Sequence, residues 1–281
     1  MEIKLGTIGF CSGVERTVET AKETAAKNNY GGVYILKPLV HNKIVMAELK
    51  GCGISLKDLG SICCCDIVII GAHGTSSSSY LTLKEKNAEI IDTTCPVVKT
   101  LYDKAKELAT NGYKILVFGD KDHVEVKNIL RDTEALAPSF VEGDLLEKIH
   151  QYSKVGIVSQ TTQYYSDFRE FVTKTLNNRS DTGPKIHSVD TICKEVKKRQ
   201  EEAENFREHC DTILVVGDQE SANSRRLYKI VSRKQINSHF IEDVGGLERS
   251  WFKGAQCLGI LCGTSTPSRV VTEIVNNLKL D

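Results

Sequence analysis

Short apolar runs alternate along the chain with longer segments in which apolar residues recur every three or four positions. The short runs predict strands at 3–10, 33–36, 66–70, 90–91, 115–118, 155–158, 185–188, 212–216 and 259–261. The longer segments predict helices at 14–27, 43–50, 81–86, 97–110, 167–177, 194–209 and 269–279. Because strands alternate with helices and several strands are rich in β-branched residues, the pattern predicts an α/β protein with small, mostly parallel sheets.

A cysteine recurs three times at the junction between a predicted strand and a predicted helix. Residues 92–95 and 190–193 both read Asp-Thr-X-Cys, which places Cys95 and Cys193 directly before helices. A looser copy of the arrangement occurs near the start of the chain and contains Cys11. The sequence therefore predicts a structural unit that is repeated three times.

The repeat suggests a division of the chain into three α/β units. We expect the first unit at 13–95, the second at 96–190 and the third at 191–281. The third unit lacks a closing strand of its own, and the N-terminal strand within 1–12 is expected to supply it. Three such units are expected to form a pseudo-threefold trefoil with the repeated cysteines near its axis. Polar loops follow the predicted strands, and ligands bind at the carboxyl ends of strands in open parallel sheets.

Composition excludes several classes of function. The 281 residues carry 37 basic and 37 acidic side chains. Since this balance leaves no basic excess, nucleic acid is not expected as the main partner. Apolar segments of about 18 residues are absent, so no membrane-spanning helix is expected. The N-terminus has no pattern of a secretory signal, and a cytoplasmic location is expected. The ten cysteines include no CxxC pair, which weakens zinc-ribbon and thioredoxin-like interpretations.

Cys11, Cys95 and Cys193 are candidate metal ligands. Three thiolates on three separate loops suit an iron–sulfur cluster that has one iron without a protein ligand. Structural zinc is an alternative, with His73 or His123 as the fourth ligand. A third possibility is that the three cysteines are unrelated and buried. The residues alone leave these alternatives open.

Several polar side chains lie in loops at predicted strand ends. Such groups can donate hydrogen bonds to a phosphate or diphosphate, helped by the N-termini of the helices that follow. No P-loop and no GxGxxG motif is present, so a nucleotide is not the expected anion. Glu125 is a candidate for carrying a proton into a buried site. The candidate anion-binding residues are His41, His73, His123, Ser221, Asn223 and Ser265.

Nearly the whole chain resembles the LytB family, whose members are 4-hydroxy-3-methylbut-2-enyl diphosphate reductases. The motifs that carry the resemblance appear in the order typical of the family and are highly specific as a set. They are Gly9-Phe10-Cys11-Ser12-Gly13-Val14, Val40-His41-Asn42, Ala72-His73-Gly74, Asp92-Thr93-Thr94-Cys95-Pro96, His123-Val124-Glu125-Val126, Gln160-Thr161-Thr162, Asp190-Thr191-Ile192-Cys193, Ser221-Ala222-Asn223-Ser224 and Ser265-Thr266-Pro267.

The resemblance implies a trefoil of three α/β domains around a 4Fe–4S cluster with one open iron. It implies a two-electron reductive dehydroxylation that yields isopentenyl and dimethylallyl diphosphate, with electrons from ferredoxin or flavodoxin. Glu125 and Thr161 would deliver protons near the substrate hydroxyl, with His123 close by. By the same resemblance, the cluster ligands are Cys11, Cys95 and Cys193, and the diphosphate is held by His41, His73, Ser221, Asn223 and Ser265.

The chain departs from the family pattern at a few positions. Ala222 stands where the family usually has a second serine, and Val196 where it usually has threonine. Val124 replaces a proline between His123 and Glu125. These changes leave two alternatives open: a paralogue that reduces a different hydroxylated substrate with the same cluster, and a non-catalytic iron–sulfur sensor. The intact Glu125 argues against a sensor, which needs no proton donor.

Overall fold

The computed structural model describes residues 1–29, 32–137, 143–177, 183–233 and 236–279. The chain divides into two compact units. The first comprises Met1–Gly31, Pro38–Ile54 and Lys194–Asp281, and the second comprises Gly32–Lys37 and Ser55–Cys193. Within the described ranges, none of the helices combines the length and the apolar character needed to cross a membrane.

The elements alternate between strand and helix, as the hydrophobic pattern predicts. The strands are β1 Glu2–Leu5, β2 Val33–Ile35, β3 Ser55–Leu56, β4 Ile67–Ile70, β5 Glu89–Asp92, β6 Lys114–Phe118, β7 Lys154–Ser159, β8 Lys185–Ser188, β9 Thr212–Val216, β10 Asn237–Ile241 and β11 Cys257–Cys262. The helices are α1 Ser12–Lys27, α2 Lys43–Gly51, α3 Ser77–Glu85, α4 Pro96–Thr110, α5 Val124–Thr133, α6 Gly143–His150, α7 Tyr165–Asn177, α8 Lys194–His209, α9 Ala222–Val231 and α10 Ser268–Lys279. Short 3-10 turns occur at Leu59–Ser61, Val244–Gly246 and Arg249–Phe252.

The described strands form three parallel sheets. The first unit contains the sheet β1-β11-β9-β10, and the second contains the sheets β3-β2-β4-β5 and β6-β7-β8. Each sheet has the same three-strand core, in which the middle strand is β11, β4 or β7, and all pairings are parallel. The α/β class with small parallel sheets is therefore confirmed, and the N-terminal strand β1 lies beside β11.

The central strands are buried on both faces by helices. In the first unit, Leu214 and Ile260 of neighbouring strands pack with Val271 and Ile274 of α10. In the second unit, β6 and β7 pack against α4 and α5 through a cluster that includes Leu101. Such two-sided burial is the reason that these strands read as continuous apolar runs rather than as alternating ones. The carboxyl ends of the strands are left free to carry polar loops.

The prediction of a strand over 3–10 is wrong beyond residue 5, since β1 ends at Leu5. Gly9 has a φ of 86°, a left-handed conformation that does not continue a strand. A Cβ at this position would also lie 3.3 Å from the Cβ of Ser268. No separate element was predicted for α5, α6, α9, β3 or β10. The segment of α9 was not predicted because its first turn is polar, and that of β10 because its first three residues are polar.

Candidate functional site

The three repeated cysteines occupy the same local position, immediately before a helix. Cys11 and Cys95 are the N-cap residues of α1 and α4, and Cys193 directly precedes α8. All three thiols are unbridged and partly exposed. Each cysteine therefore lies at the positive end of a helix dipole.

One backbone hydrogen bond is repeated in all three cysteine turns. In each, the cysteine N–H donates to a carbonyl two residues beyond the end of the middle strand of a sheet. The bonds join Cys11 to Thr264 at 3.0 Å, Cys95 to Ala72 at 2.9 Å and Cys193 to Thr161 at 2.9 Å. The residues that follow Ala72 and Thr264 are His73 and Ser265, both candidate anion donors. Each cysteine turn is thus fixed to a loop that carries candidate site residues.

The Asp-Thr-X-Cys motif folds the same way in both of its copies. The Asp92 carboxylate accepts the backbone N–H of Thr94 at 2.9 Å, and Asp190 accepts that of Ile192 at 3.1 Å. The hydroxyl of Thr93 donates to the carbonyl of the last residue of β4 at 2.6 Å. The hydroxyl of Thr191 likewise donates to the last residue of β7 at 2.6 Å. The two residues therefore encode the turn that presents the cysteine.

Asp92 allows a test of how the Cys95 turn is stabilised. Burial acts to raise the pKa of Asp92, but hydrogen bonds from Thr94 and from Lys99, with its charge, outweigh burial and hold the pKa below its ordinary value of 3.8. A lowered pKa contributes stability above the ordinary value, and that contribution is lost as the pH falls through the lowered pKa.

We expect Asp92→Asn to lower the free energy of unfolding by less than about 1 kcal/mol at neutral pH, because the partner Lys99 is half-exposed. The difference from the parent protein should persist at pH values above 3.8 and shrink as the pH falls further, through the lowered pKa of Asp92. Urea unfolding across that pH range measures it. A deficit that stays the same size at low pH would mean that the charge of Asp92 is not what stabilises the turn.

Glu125 is a fully buried carboxylate held at both oxygens by one residue. The backbone N–H of Thr161 donates to Oε2 at 2.9 Å, and the Thr161 hydroxyl donates to Oε1 at 2.8 Å. Glu125 lies in the first turn of α5, and its own N–H donates to Nδ1 of His123, the N-cap residue, at 3.3 Å. Since Nδ1 accepts this bond, a neutral His123 carries its proton on Nε2 and can donate it elsewhere.

Tyr102 is a site-supporting residue that the sequence analysis missed. Its hydroxyl donates to the carbonyl of His73 at 2.6 Å and accepts from the side-chain amide of Asn128 at 3.0 Å. Burial, followed by the negative charge of Glu125, raises the pKa of Tyr102 well above its ordinary value, so the hydroxyl keeps its proton. The rings of His73 and His123 meet edge to face with centroids 5.4 Å apart. The tyrosine escaped notice because it shares the apolar spacing of α4.

Four candidate anion donors belong to the first unit, three of them in loops and Asn223 in the first turn of α9. The hydroxyl of Ser265 donates to the carbonyl of His41 at 3.0 Å. Asp218 lies three residues before Ser221 and accepts the N–H of Lys43 at 2.8 Å, so it links the Ser221 loop to the start of α2. Ser221 in turn caps α9, where its hydroxyl accepts from Ser224 N at 3.4 Å. These contacts hold the loops of the first unit at the N-termini of α2 and α9.

Asn223 is buried at 2% exposure, yet in the described part of the chain neither its side-chain oxygen nor its nitrogen has a hydrogen-bond partner. A buried polar group without a partner costs about 1–3 kcal/mol, so it calls for an explanation, of which a bound ligand is one. Asn223 lies in the first turn of α9, where the helix dipole favours an anion. The polar side chains at the start of α9, Ser221 and Asn223, therefore fit a phosphate-containing ligand.

The candidate residues divide between the two units. The first unit contains Cys11 with His41, Ser221, Asn223 and Ser265, and the second contains Cys95 and Cys193 with His73, His123, Glu125 and Thr161. Within the second unit, the structure brings Glu125, Thr161 and His123 into one hydrogen-bonded group. A purely thiolate set suits an iron–sulfur cluster, whereas zinc would take a histidine as its fourth ligand.

Comparison with known proteins gives a consistent result over the full length. Residues 3–279 match the family model described as LytB protein. The 4-hydroxy-3-methylbut-2-enyl diphosphate reductase of Dictyoglomus thermophilum is 37% identical over 96% of this chain and 93% of its own length. That of Geobacter sulfurreducens is 34% identical over 99% of this chain and 97% of its own length.

Solved structures give the same result. The E-1-hydroxy-2-methyl-but-2-enyl-4-diphosphate reductase of Plasmodium falciparum is 27% identical and superposes with a TM-score of 0.90, covering 99% of this chain and 87% of that one. A structure of (E)-4-hydroxy-3-methyl-but-2-enyl diphosphate reductase, described as the terminal enzyme of the non-mevalonate pathway, is 30% identical with a TM-score of 0.71 and 99% coverage of both chains.

Proposed function

Because the chain belongs to the LytB protein family, we propose that it is a 4-hydroxy-3-methylbut-2-enyl diphosphate reductase of the non-mevalonate isoprenoid pathway. The reaction breaks the C–O bond of the allylic hydroxyl and forms a C–H bond. Two electrons and two protons enter, and water leaves with isopentenyl or dimethylallyl diphosphate. The observation that carries the chemistry is the buried Glu125 carboxyl, bonded at both oxygens to Thr161.

Cys11, Cys95 and Cys193 are the residues that would hold a 4Fe–4S cluster. Such a cluster, when bound, supplies electrons one at a time and an iron without a protein ligand that acts as a Lewis acid. The support for this set is chemical: all three thiols are unbridged, precede helices and share one backbone hydrogen bond. Ferredoxin or flavodoxin as electron donor, and a cytoplasmic location, stay predictions from the sequence.

Glu125 and Thr161 are assigned to proton delivery. The Thr161 hydroxyl lies 2.8 Å from Oε1 of Glu125, so it can pass a proton from the carboxyl to the leaving hydroxyl and receive one in return. Burial at 0% exposure keeps bulk water from Glu125, and the backbone bond from Thr161 fixes the carboxyl in place. His123 caps the same helix turn and, in its neutral form, can donate from Nε2 to the substrate.

The diphosphate is assigned to polar donors at helix N-termini. Asn223 and Ser221 lie at the start of α9, and Ser265 and His41 are hydrogen-bonded to each other in neighbouring loops. His73 would add a further donor, held through its carbonyl by Tyr102. Ala222 supplies no hydroxyl, so the set of residues assigned to the diphosphate has one fewer hydrogen-bond donor than is usual in the family.

The decisive experiment is anaerobic reconstitution of the cluster, followed by a turnover assay with 4-hydroxy-3-methylbut-2-enyl diphosphate and a one-electron donor. We expect both isopentenyl and dimethylallyl diphosphate as products. A protein that holds its cluster but neither turns over the diphosphate nor changes its spectrum on adding it would contradict the proposal and favour a paralogue with another substrate.

Asn223→Ala is expected to raise KM for the diphosphate by about ten- to a hundredfold, the equivalent of one lost hydrogen bond to a charged group. The free energy of unfolding should hardly change without substrate, because the Asn223 side chain has no hydrogen-bond partner among the described residues. Steady-state kinetics and urea unfolding give the two values.

Asn237→Ala is the matched control in the same unit. The Asn237 amide donates to the carbonyl of Trp251 at 2.6 Å, so this variant should lose about 1 kcal/mol of stability and keep the parental KM. If Asn223→Ala instead destabilises the protein and leaves KM unchanged, Asn223 is a structural residue.

A further inference from the structure

Arg199 of α8 is a charged side chain that is only 1% exposed. Its nearest counter-charge is Glu195, one helical turn earlier, at 3.2 Å from Nε. The guanidinium donates to the carbonyls of Cys262 at 2.9 Å, Gly263 at 3.3 Å and Gly9 at 2.9 Å. Burying a charge is costly, and the pairing and hydrogen bonds of Arg199 offset that cost. An apolar side chain could fill the same space without that cost, so packing alone does not explain an arginine at this position.

The three cysteine turns suggest what Arg199 does. In the turns of Cys95 and Cys193, the residue two positions before the cysteine is a threonine. Its hydroxyl donates to the carbonyl of the last residue of a middle strand, Ile70 of β4 or Ser159 of β7. The same bond therefore anchors both turns to the end of a sheet.

The Cys11 turn cannot use a threonine in this way. The residue two positions before Cys11 is Gly9, whose φ of 86° is strained for a β-branched residue and whose position leaves little room for a Cβ beside Ser268. Without a side chain at this point, the turn needs an anchor from another element. The last residue of the middle strand of this sheet is Cys262, the counterpart of Ile70 and Ser159.

Arg199 supplies the missing link. Its two terminal nitrogens reach Gly9 on one side and Cys262 on the other, at 2.9 Å each. The planar guanidinium can hold several carbonyls at once in a fixed geometry, which a flexible ammonium does less well. Its third carbonyl contact, Gly263, lies two residues before Ser265, so the same side chain also touches the loop of a candidate diphosphate donor.

We propose that Arg199 is the positioning residue of the Cys11 turn and performs there the role that Thr93 and Thr191 perform in the other two turns. Arg199 fixes Gly9 to the end of β11. In this way it helps to hold the Cys11 turn, in which the backbone N–H of Cys11 donates to the carbonyl of Thr264. The link from this role to cluster binding rests on the proposed function, but the positioning itself does not.

The test measures how fast each thiol of the reduced, cluster-free protein reacts with iodoacetamide, with peptides resolved by mass spectrometry. Arg199→Lys and Arg199→Met are compared with Thr191→Val as the matched variant for another turn. We expect the Arg199 variants to raise the rate at Cys11 by about tenfold, since the turn opens more often once a charged donor is lost. Cys95 and Cys193 should keep the parental rates, while Thr191→Val should accelerate only Cys193.

Two outcomes would overturn the proposal. One is an unchanged alkylation rate at Cys11. The other is an equal rise in rate at all three cysteines in a variant that circular dichroism shows to be folded, because a merely structural residue would affect all three turns. If Arg199→Met fails to fold, Arg199→Lys, which keeps the charge and one donor nitrogen, decides the question.

A second readout connects the turn to the cluster. After reconstitution, the Arg199 variants should lose iron to a chelator about tenfold faster than the parent protein. Because alkylation is measured without a cluster, a failure of the parent chain to bind iron would count against the proposed function alone. Normal iron retention in variants whose Cys11 is hyper-reactive would overturn the link between the turn and the cluster.

Discussion

Glu125→Gln is expected to lower turnover of the diphosphate by about 10²- to 10⁴-fold while the protein folds and holds its cluster. Glutamine has nearly the same shape, and both hydrogen bonds can survive the change. Its oxygen can accept from the Thr161 backbone, and its nitrogen can donate to the Thr161 hydroxyl, which rotates. What is lost is the acidic proton. Single-turnover rates of the reconstituted variant measure the effect.

Glu107→Gln is the control for this variant, because Glu107 lies exposed on α4, where it pairs with Lys104. Its turnover should match that of the parent protein. If the Glu125→Gln enzyme retains at least a tenth of the parental rate, Glu125 does not deliver the proton, and the assignment of Thr161 to the same relay is also wrong.

Cys95→Ser should abolish cluster binding. The serine hydroxyl is a hard, protonated ligand at neutral pH, whereas iron–sulfur clusters take soft thiolates. The loss of bound iron should exceed the ~10- to 100-fold weakening that follows loss of an outer-sphere partner, and turnover should fall with it. Iron and sulfide per chain, with the visible absorption spectrum after reconstitution, give the measurement.

Cys52→Ser is the matched control, since Cys52 is also a free, partly exposed thiol at the end of a helix. It should bind the cluster as the parent protein does. A Cys95→Ser protein that keeps full iron and colour would contradict the assignment of Cys95 as a ligand. Zinc in place of iron in the parent protein would contradict the cluster itself.

Local sequence patterns were sufficient to locate a strand or turn wherever its structure depends on residues within the same segment. The apolar runs located β6, β9 and the other central strands, because a strand buried on both faces needs apolar residues throughout. The Asp-Thr-X-Cys repeat marked two of the cysteine turns, because its Asp side chain accepts the backbone N–H two residues later. The assignment of the three cysteines to one cluster stays a prediction.

The prediction of a strand over 3–10 was wrong beyond residue 5, and the local hydrophobic pattern could not have shown this. Ile8 and Phe10 are apolar, yet the chain leaves the sheet after Leu5 and turns at Gly9. Hydrophobicity reports that a residue prefers burial, and it does not report the element in which burial occurs. The edge strand β10 was missed for the converse reason, since its polar residues concealed a strand that pairs with β9.

The sequence by itself determined the α/β class, the threefold cysteine repeat, the family and the candidate residues, because each depends on short-range spacing or on motifs. The tertiary structure decided which residues support them. Tyr102 reaches His73 across 29 positions, and Arg199 reaches Gly9 across 190 and Cys262 across 63. That the buried Asn223 side chain lacks a hydrogen-bond partner among the described residues became visible only with its neighbours in place. Hydrogen bonds between distant segments depend on how the chain folds back on itself, which no local pattern encodes.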